Sequence, residues 1–552
     1  MGQAQLRRGA DALLRALNTA GVGTVFSLSG NHIMAVYDAV LDHDIRLLHF
    51  RQEAATVHAA DAWARLTDGV GVALVTGGQG HANAVSALCT AAAAETPLVL
   101  LSGHAGLGEL GLGAFQEMPQ VELAAPLTKA SWVAGSAATL PQELARAFRI
   151  ARSGRPGPVH LSLPSDLLEG AVEADAVAWP EKEAFAAVPL PLGADAARRV
   201  LAAAAGAKRP IILLPPALCT TRGRATAAAL EAATGIPVIG MESPRGVNDP
   251  SLGAFAEMLA QADLLVLLGK PFDFTLRFGR SPTVAASCRW IVVDPDTTLI
   301  ARAARGLGGR LVFSAIAGPV EAVSILTQEA QRSSPDGLSS AHEAWRSEMR
   351  EAVAYRPAAW SAAGAGQPMS SAAMCGALQH WLARHDSSVF ISDGGEIGQW
   401  AQALLRAPHR VINGVAGAIG PSIPFCIGAK CAFPDSPVLA VLGDGTFGFH
   451  MAEFDTAVRY GLPFVAVIGN DSRWNAEYQI QAREYGPERS VGCTLSPDTR
   501  YDLVVAALGG HGEFVTEAEA LPAALERAFA SGRPACVNVR TDGSAAPVIR
   551  RH

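Results

Sequence analysis

The sequence predicts an α/β protein built from three doubly wound domains, each with a parallel sheet. Two patterns support this prediction. Short, uninterrupted apolar runs, of the length of strands buried in a parallel sheet, alternate with segments whose apolar residues recur at helical spacing. The alternation occurs in three consecutive stretches separated by two polar, proline-containing linkers. We therefore predict domains at residues 1–180, 190–335 and 360–552.

The first predicted domain begins with an amphipathic helix in AQLRRGADALLRALNTAG, which ends at Gly21. Segment 171–193, which contains several prolines and charges, is predicted to be a linker. The predicted strands are TVFSLSG (24–30), RLLHF (46–50), VGVALVTGG (70–78), TPLVLLSG (96–103) and GPVHLSLP (157–164).

The central domain repeats this pattern, with Ala-rich helices between its strands. A second polar linker covers roughly 331–368. The predicted strands are PIILLPP (210–216), IPVIGM (236–241), ADLLVLLG (262–269) and WIVVDPD (290–296).

Composition excludes several classes of protein. The 552 residues are 49% apolar, enough for large cores, and the net charge of −7 without a long basic run argues against a nucleic-acid partner. We find no run of 18 uncharged apolar residues and no signal-peptide core, so we predict no membrane partner. Eight cysteines are scattered without CxxC spacing; Cys89, Cys426 and Cys536, in apolar context, are predicted to be reduced core residues of a cytoplasmic protein.

The most informative stretch is GDGTFGFHMAEFDTAVRYGLPFVAVIGND, residues 443–471. The apolar run PVLAVL precedes it and predicts a buried strand. A helix should follow, because Met451, Phe454 and Val458 recur at helical spacing, and FVAVIG predicts a second strand. Consecutive strands of such a unit are parallel, joined by a right-handed crossover.

Acidic residues follow both of these strands. Asp444 and Asp471 come just past the carboxyl ends, where open α/β sheets bind ligands. Two oxygen ligands suit Mg²⁺, and glycines beside Asp444 permit close approach of a phosphate. On these residues alone, a pair of ordinary strand-end turns capped by Asp and Asn remains an open alternative.

As a whole, the stretch resembles the signature of thiamine diphosphate (ThDP) enzymes, in which GDG and 24 further residues precede an Asn pair, here Asn470-Asp471. The resemblance implies that Asp444, Asp471 and the carbonyl of Arg473 bind Mg²⁺. Asp471 departs from the family's usual Asn and adds negative charge beside a diphosphate. The three-domain order resembles acetolactate synthase-like and benzaldehyde lyase-like enzymes, with pyrimidine-binding, central Rossmann-like and diphosphate-binding domains. Further cofactor-binding residues here would be Gly443, Gly445, Thr446 and Trp474.

The same resemblance implies functional residues in the first domain. Glu53 follows RLLHF and opens an Ala-rich helix, as does the Glu that activates the cofactor's aminopyrimidine in this family; an isolated Glu there would more simply be a helix N-terminal acid. TGGQGHANAVSAL places Gly78 close to the cofactor, with Asn83 tying the turn together. Gln116 and His32 match substrate-facing residues, although a lone His more often has a packing role.

In the third domain, SDGGEIGQW (392–400) matches the loop that approaches the cofactor and contains Gly394 and Gly395. Ile419 matches the apolar residue that wedges between the cofactor's rings. Glu477, together with Trp474 and Tyr478 on the helix after the metal loop, would line the substrate channel. Glu477 also lies six residues past Asp471, where pyruvate decarboxylases have a catalytic Glu, so the resemblance implies a proton-shuttle role; a solvated helix acid is an equal alternative.

The expected enzyme uses ThDP and Mg²⁺ as a lyase, carboligase or decarboxylase of 2-oxo acids, aldehydes or acyloins, and forms a homodimer or homotetramer with active sites at the subunit interface. The alternatives are a 2-hydroxyacyl-CoA lyase or oxalyl-CoA decarboxylase, and a non-catalytic ThDP-binding homologue. Pro215-Pro216 replaces a Gly-rich turn after the first central strand, so FAD is not expected. Arg245, Arg277 and the terminal Arg550 and Arg551 keep a nucleotide or CoA site open.

Overall fold

A computed structural model of the chain describes residues 8–333, 342–360 and 367–551. Two stretches of the second predicted linker, residues 334–341 and 361–366, lie outside the described residues. Tertiary contacts divide the chain into two compact units. The first comprises Met1–Val188, Ile423–Asp435 and His450–Leu462; the second comprises Pro189–Ser422, Ser436–Phe449 and Pro463–His552.

The first sheet has six parallel strands: β1 (Thr24–Leu28), β2 (Arg46–His49), β3 (Gly71–Val75), β4 (Leu98–His104), β5 (Ser131–Val133) and β6 (Pro158–Pro164). Their order across the sheet is β2-β1-β3-β4-β6-β5. Strand β5 was not predicted, because it has three residues and none is fully buried. The helices here are α1 (Gly9–Thr19), α2 (Met34–Ala39), α3 (Glu53–Thr67), α4 (Gln79–Ala93), α5 (Gln120–Ala124), α6 (Leu140–Arg152) and α7 (Ser165–Glu169).

The second sheet has five parallel strands: β7 (Pro210–Leu214), β8 (Val238–Gly240), β9 (Leu264–Leu268), β10 (Arg289–Val293) and β11 (Leu311–Ala315). Their order is β11-β10-β9-β7-β8. Edge strand β11 was missed because its residues alternate between half-buried and exposed. The helices are α8 (Ala194–Ala205), α9 (Thr221–Thr234), α10 (Phe255–Leu259), α11 (Thr297–Leu307), α12 (Pro319–Ser333) and α13 (Glu343–Ala354).

The third sheet has six parallel strands: β12 (Val389–Ser392), β13 (His409–Ile412), β14 (Val438–Gly443), β15 (Val465–Asn470), β16 (His511–Val515) and β17 (Ala535–Arg540). The order β13-β12-β14-β15-β17-β16 repeats the topology of the first sheet. The helices are α14 (Ser371–Leu382), α15 (Gly395–Leu404), α16 (Ser422–Ala432), α17 (Asp444–His450), α18 (Glu453–Arg459), α19 (Asn475–Tyr485), α20 (Tyr501–Ala507) and α21 (Leu521–Ala530).

The apolar runs are uninterrupted because both faces of each sheet are covered. In β9, Leu265 and Leu267 join one buried cluster, whereas Leu264, Val266 and Leu268 join another. The three parallel sheets confirm the predicted α/β class. In the first and third sheets the strand order reverses direction at β1/β3 and at β12/β14, and ligands of open α/β sheets bind at such switch points.

Three local predictions were wrong. The single helix expected through Met451 and Val458 is two helices, α17 and α18; Met451 is exposed and does not belong to an apolar stripe. The segment SDGGEIGQW is a loop only as far as Gly394, and α15 begins at Gly395. Cys89 is exposed rather than in the core, although Cys426 and Cys536 are buried. Among the described helices, none is long and apolar enough to cross a bilayer.

Candidate functional site

In the first unit, the starts of α3 and α4 meet at the Glu53 side chain. Gln52 caps α3 by accepting a hydrogen bond from the backbone N–H of Ala55 (3.1 Å), which fixes Glu53 as the first helical residue. Asn83 Nδ2 donates to Glu53 Oε2 (3.0 Å), and a Cβ on Gly80 would lie 3.4 Å from Glu53 Oε1. Asn83 therefore orients the carboxylate of Glu53; its predicted role was to tie the glycine turn.

Gly78 adopts a left-handed backbone conformation, with φ +59°, at the end of the turn after β3. A Cβ at this position would lie 2.5 Å from the carbonyl oxygen of Gln116, so Gly78 and Gln116 are packed backbone to backbone. Gln120, which sequence reasoning missed, accepts a hydrogen bond from the Gly78 N–H (2.7 Å) and donates to Gly103 O (3.1 Å). Gln116 itself has φ 56°, a strained conformation of the kind that clusters at functional sites.

His32 lies beside this turn, 8% exposed. One ring nitrogen, Nδ1, is 3.2 Å from Thr76 Oγ1, and a Cβ on Gly103 would lie 2.6 Å from its Cβ. Burial lowers the pKa of His32, so the imidazole is neutral at pH 7. The ring of Phe115 stacks on it at a centroid distance of 6.3 Å and is itself 67% exposed.

A second acidic residue supports the loop that precedes Glu53. Glu453 of α18 is 1% exposed and accepts hydrogen bonds from the backbone N–H of Arg51 (3.1 Å) and from Thr456 Oγ1 (2.6 Å). Burial raises the pKa of Glu453 to about 7, against the lowering effect of these bonds. Glu453 was not predicted, since its position in the sequence resembles any solvated helix acid.

In the second unit, two acidic residues lie at the carboxyl ends of adjacent strands, β14 and β15. Asp444 is 2% exposed; its Oδ1 accepts the Gly445 N–H (3.0 Å), and its Oδ2 has no hydrogen-bond partner within the described chain. Burial raises the pKa of Asp444 to about 6. Burial, followed by the negative charge of Asp444, raises the pKa of Asp471 to about 7. Two carboxylates that repel each other beside an unpaired oxygen fit a bound cation.

Residues 8–333, 342–360 and 367–551 contain no group of three or more His, Cys, Asp or Glu arranged to hold a metal. Asp444 and Asp471 are the two carboxylate donors that the sequence predicted, and Asp471 Oδ1 accepts the Arg473 N–H (3.1 Å). Ser472, between Asp471 and Arg473, has φ 58°. Mg²⁺ needs few side-chain ligands, so a pair of carboxylates and a backbone carbonyl suits it.

The remaining residues of the GDG turn are closely packed. A Cβ on Gly445 would lie 2.9 Å from the Trp474 ring, so only glycine fits beneath that ring. Thr446 Oγ1 donates to the carbonyl of Gly443 (3.0 Å) and closes the first turn of α17. The structure thus brings Gly443, Gly445, Thr446 and Trp474 together with the two aspartates.

Gly394 and Ile419 form a second contact at the same sheet edge. A Cβ on Gly394 would lie 2.8 Å from Ile419 Cγ2, and Ile419 is 37% exposed, unusual for an isoleucine in a glycine-rich turn. Asp393, which was not predicted, accepts hydrogen bonds from Gly394 N–H (2.7 Å), Gly420 N–H (3.0 Å) and Ser422 Oγ (2.6 Å). Asp393 therefore holds the two glycine loops against each other. Gly395 has φ +74° and nothing within 4 Å of a Cβ.

A cavity of about 1280 Å³ adjoins α15 and α19. Residues 545–551 form one wall, where Trp400 Nε1 donates to Ala545 O (2.8 Å) and Arg551 pairs with Glu257 (2.9 Å). Glu477 is exposed, and neither Glu477 nor Tyr478 lines this cavity, so their predicted place in a substrate channel stays a prediction. The arginines in the lining are Arg245, Arg277, Arg483, Arg550 and Arg551.

Comparisons with known proteins show the family to which the chain is similar. Residues 7–123 match the N-terminal TPP-binding domain of thiamine pyrophosphate enzymes, and residues 393–539 match the C-terminal TPP-binding domain. The acetolactate synthase large subunit IlvG of Mycobacterium tuberculosis is 32% identical, with 98% of this chain and 97% of that protein covered. The 2-hydroxyacyl-CoA lyase 2 of Homo sapiens is 29% identical (92% and 85%), and the 2-hydroxyacyl-CoA lyase of Oryza sativa subsp. japonica 28% (96% and 94%).

The chain belongs to the thiamine pyrophosphate enzyme family. It is a thiamine diphosphate-dependent enzyme of the carboligase and lyase type.

Glu453 generates a prediction about stability. Because its pKa is raised from 4.5 to about 7, the folded protein retains this proton where the unfolded chain has lost it. Folding is therefore disfavoured as pH rises from about 4.5 to 7, by about 1.4 kcal/mol per pKa unit. The Gln side chain of Glu453→Gln is neutral at every pH. In thermal unfolding, the stability of Glu453→Gln relative to the unaltered protein should therefore increase as pH rises across this window. A difference that is the same at pH 4.5 and pH 7.5 would contradict the account; Glu526→Gln, on α21, is the matched control.

Proposed function

We propose that this enzyme makes or breaks a carbon–carbon bond next to a carbonyl in small, free 2-oxo acids, aldehydes or acyloins. When bound, thiamine diphosphate supplies a nucleophilic carbon and a sink for the electron pair of that bond. The observation that carries the proposal is the pair of mutually repelling carboxylates, buried Asp444 and half-buried Asp471, at the carboxyl ends of β14 and β15.

In this proposal, Asp444, Asp471 and the carbonyl of Arg473 hold Mg²⁺, which anchors the diphosphate. The unpaired Oδ2 of Asp444 and the mutual repulsion of the two carboxylates support it. Gly443, Gly445, Thr446 and Trp474 form the turn beside the metal, and Gly394, Gly395 and Ile419 present backbone and an exposed apolar side chain to the cofactor rings.

On the pyrimidine side, we assign proton transfer with the aminopyrimidine to Glu53. Its orientation by Asn83 and its place beside the glycine turn at Gly78 support this assignment. His32, neutral and close to the same turn, and Gln116 are assigned to the substrate side. Following the family resemblance, we assign a homodimer or homotetramer and a cytoplasmic location.

A second substrate class has a specific observation in its favour. The cavity in the second unit presents five arginines, with Phe274 and Phe278 exposed beside them. Phosphates bind arginine, and bases stack on aromatic rings, so this lining suits a CoA thioester. Two relatives are named 2-hydroxyacyl-CoA lyases. After β7, a short 3₁₀ helix, Pro216–Leu218, stands where a flavin-binding domain would have a glycine-rich turn. We therefore do not propose FAD as a cofactor.

The metal assignment predicts opposite results for two variants. Asp444→Ala should abolish ThDP binding, because the diphosphate loses its Mg²⁺ anchor. Asp471→Asn should bind ThDP at least as well as the unaltered protein, since it keeps an oxygen ligand and removes the repulsion with Asp444. Calorimetry with Mg²⁺ measures both, and undiminished ThDP binding by Asp444→Ala would show the metal assignment to be wrong.

The Glu53 assignment separates cofactor activation from cofactor binding. Glu53→Gln should still bind ThDP and should slow exchange of the C2 hydrogen of bound ThDP with deuterium by about 10²–10⁴, the usual cost of losing one proton-transfer partner. NMR of the exchange is the readout. The same exchange rate in both proteins would remove Glu53 from the mechanism.

The substrate class is tested with the unaltered protein, ThDP and Mg²⁺. We expect release of CO₂ from a 2-oxo acid such as pyruvate, or formation or cleavage of an acyloin, with no effect of added FAD. A panel that includes formyl-CoA with an aldehyde distinguishes the second candidate. Turnover of CoA thioesters without turnover of free 2-oxo acids or acyloins would replace the first substrate class by the second.

A further inference from the structure

A buried carboxylate that the sequence did not single out opens into the cavity of the second unit. Glu396, the second residue of α15, is 9% exposed and belongs to the cavity lining. Its Oε2 has no hydrogen-bond partner in the described part of the chain. Burying a polar oxygen without a hydrogen-bond partner is unfavourable, so such an atom at the wall of a cavity indicates a bound group that supplies the missing hydrogen bond.

The backbone around Glu396 is held in place. The next residue, Ile397, packs on the ends of the two strands that carry the aspartates: Cβ atoms on Gly443 and Gly469 would lie 3.6 Å and 2.7 Å from its side chain. One turn later, Trp400 is tied to Ala545. Glu396 therefore lies at a set position between the GDG turn and the cavity.

Groups from three other segments change the pKa of Glu396. Burial raises its pKa; the backbone of Ala546 and the arginines Arg245 and Arg483 lower it, and Glu477 raises it. Within the described residues, Glu396 forms no ion pair with Arg245 or Arg483. A carboxyl at a cavity wall, with a raised pKa and an unpaired oxygen, is placed to accept a proton and to return it.

Glu477, the acid predicted for proton transfer, lies in a different environment. It is exposed, and its helix α19 has no buried residue. It does not line the cavity, whereas Gln479 and Arg483 of the same helix do. The cavity thus faces Glu396 and not Glu477.

We propose that Glu396 exchanges a proton with the oxygen of the substrate held in this cavity. The proposal rests on the proposed function. In the cleavage direction, the substrate O–H bond breaks and its proton moves to Glu396 Oε2. The O–H electron pair becomes the second bond of a new carbonyl as the carbon–carbon bond breaks; the cofactor, when bound, would supply the sink for the electron pair of that bond. In the carboligation direction, Glu396 returns the proton to the oxygen of the accepting carbonyl.

The test compares the unaltered protein with Glu396→Gln and Glu396→Asp, all with ThDP and Mg²⁺, and uses Glu526→Gln as control. Glu396→Gln, which keeps the shape of the side chain, should lower kcat by about 10²–10⁴ and leave ThDP affinity unchanged by calorimetry. Activity of the unaltered protein should fall as pH falls through the pKa of Glu396, and Glu396→Gln should lose this acid limb. Glu396→Asp should recover part of kcat.

A readout without cofactor accompanies the kinetics. Difference infrared spectroscopy of the ThDP-free protein should show a carboxyl band that titrates above the usual glutamate range and is missing from Glu396→Gln. Retention of kcat and of the acid limb by Glu396→Gln would overturn this inference alone, as would equal losses of ThDP affinity and kcat. No turnover of any substrate by the unaltered protein would overturn the proposed function, and this inference with it.

Discussion

The electrostatic repulsion between Asp444 and Asp471 is the constraint around which the second unit is arranged. Strands β14 and β15 are parallel and in register, with Gly443 opposite Gly469, so the residues that follow them emerge at the same edge. Asp444 is buried and Asp471 half-buried there; burial raises the pKa of Asp444 to about 6, and burial together with the charge of Asp444 raises the pKa of Asp471 to about 7. A divalent cation removes this cost, and the enzyme family to which the chain belongs uses a cofactor with an anionic diphosphate.

Small residues and strained turns make room at that edge. Gly445 lies under Trp474, and Gly394 lies against Ile419, so the backbone is exposed where a side chain would otherwise block it. Asp393 compensates for the mobility that glycines bring, because it accepts hydrogen bonds from both glycine loops. In the first unit, Gln120 likewise fixes the glycine turn, because it accepts a hydrogen bond from the Gly78 N–H.

The fold was largely predictable, because strands buried on both faces are read directly from uninterrupted apolar runs. In the first two sheets, the strands that were missed, β5 and β11, lack such runs. In the third sheet only β14 and β15 were predicted individually. Within the candidate site, Asp444, Asp471 and Glu53 were singled out because the residues around them resemble the signature of ThDP enzymes, whereas their places at strand ends or a helix start left simpler readings open. Glu396 and Glu453 were not, because each resembles a solvated helix acid and only tertiary packing buries it. Asp393 was hidden for a similar reason, since its three hydrogen bonds come partly from residues 420 and 422.

In the mechanism that we propose, a cation between the two repelling carboxylates anchors the diphosphate. The most direct measurement is a calorimetric titration of the unaltered protein with ThDP at a series of Mg²⁺ concentrations, and with Mg²⁺ at a series of ThDP concentrations. Because coupling between two ligands is reciprocal, each should tighten the binding of the other by the same factor. ThDP affinity that is unchanged when a chelator removes all divalent cations would contradict the claim.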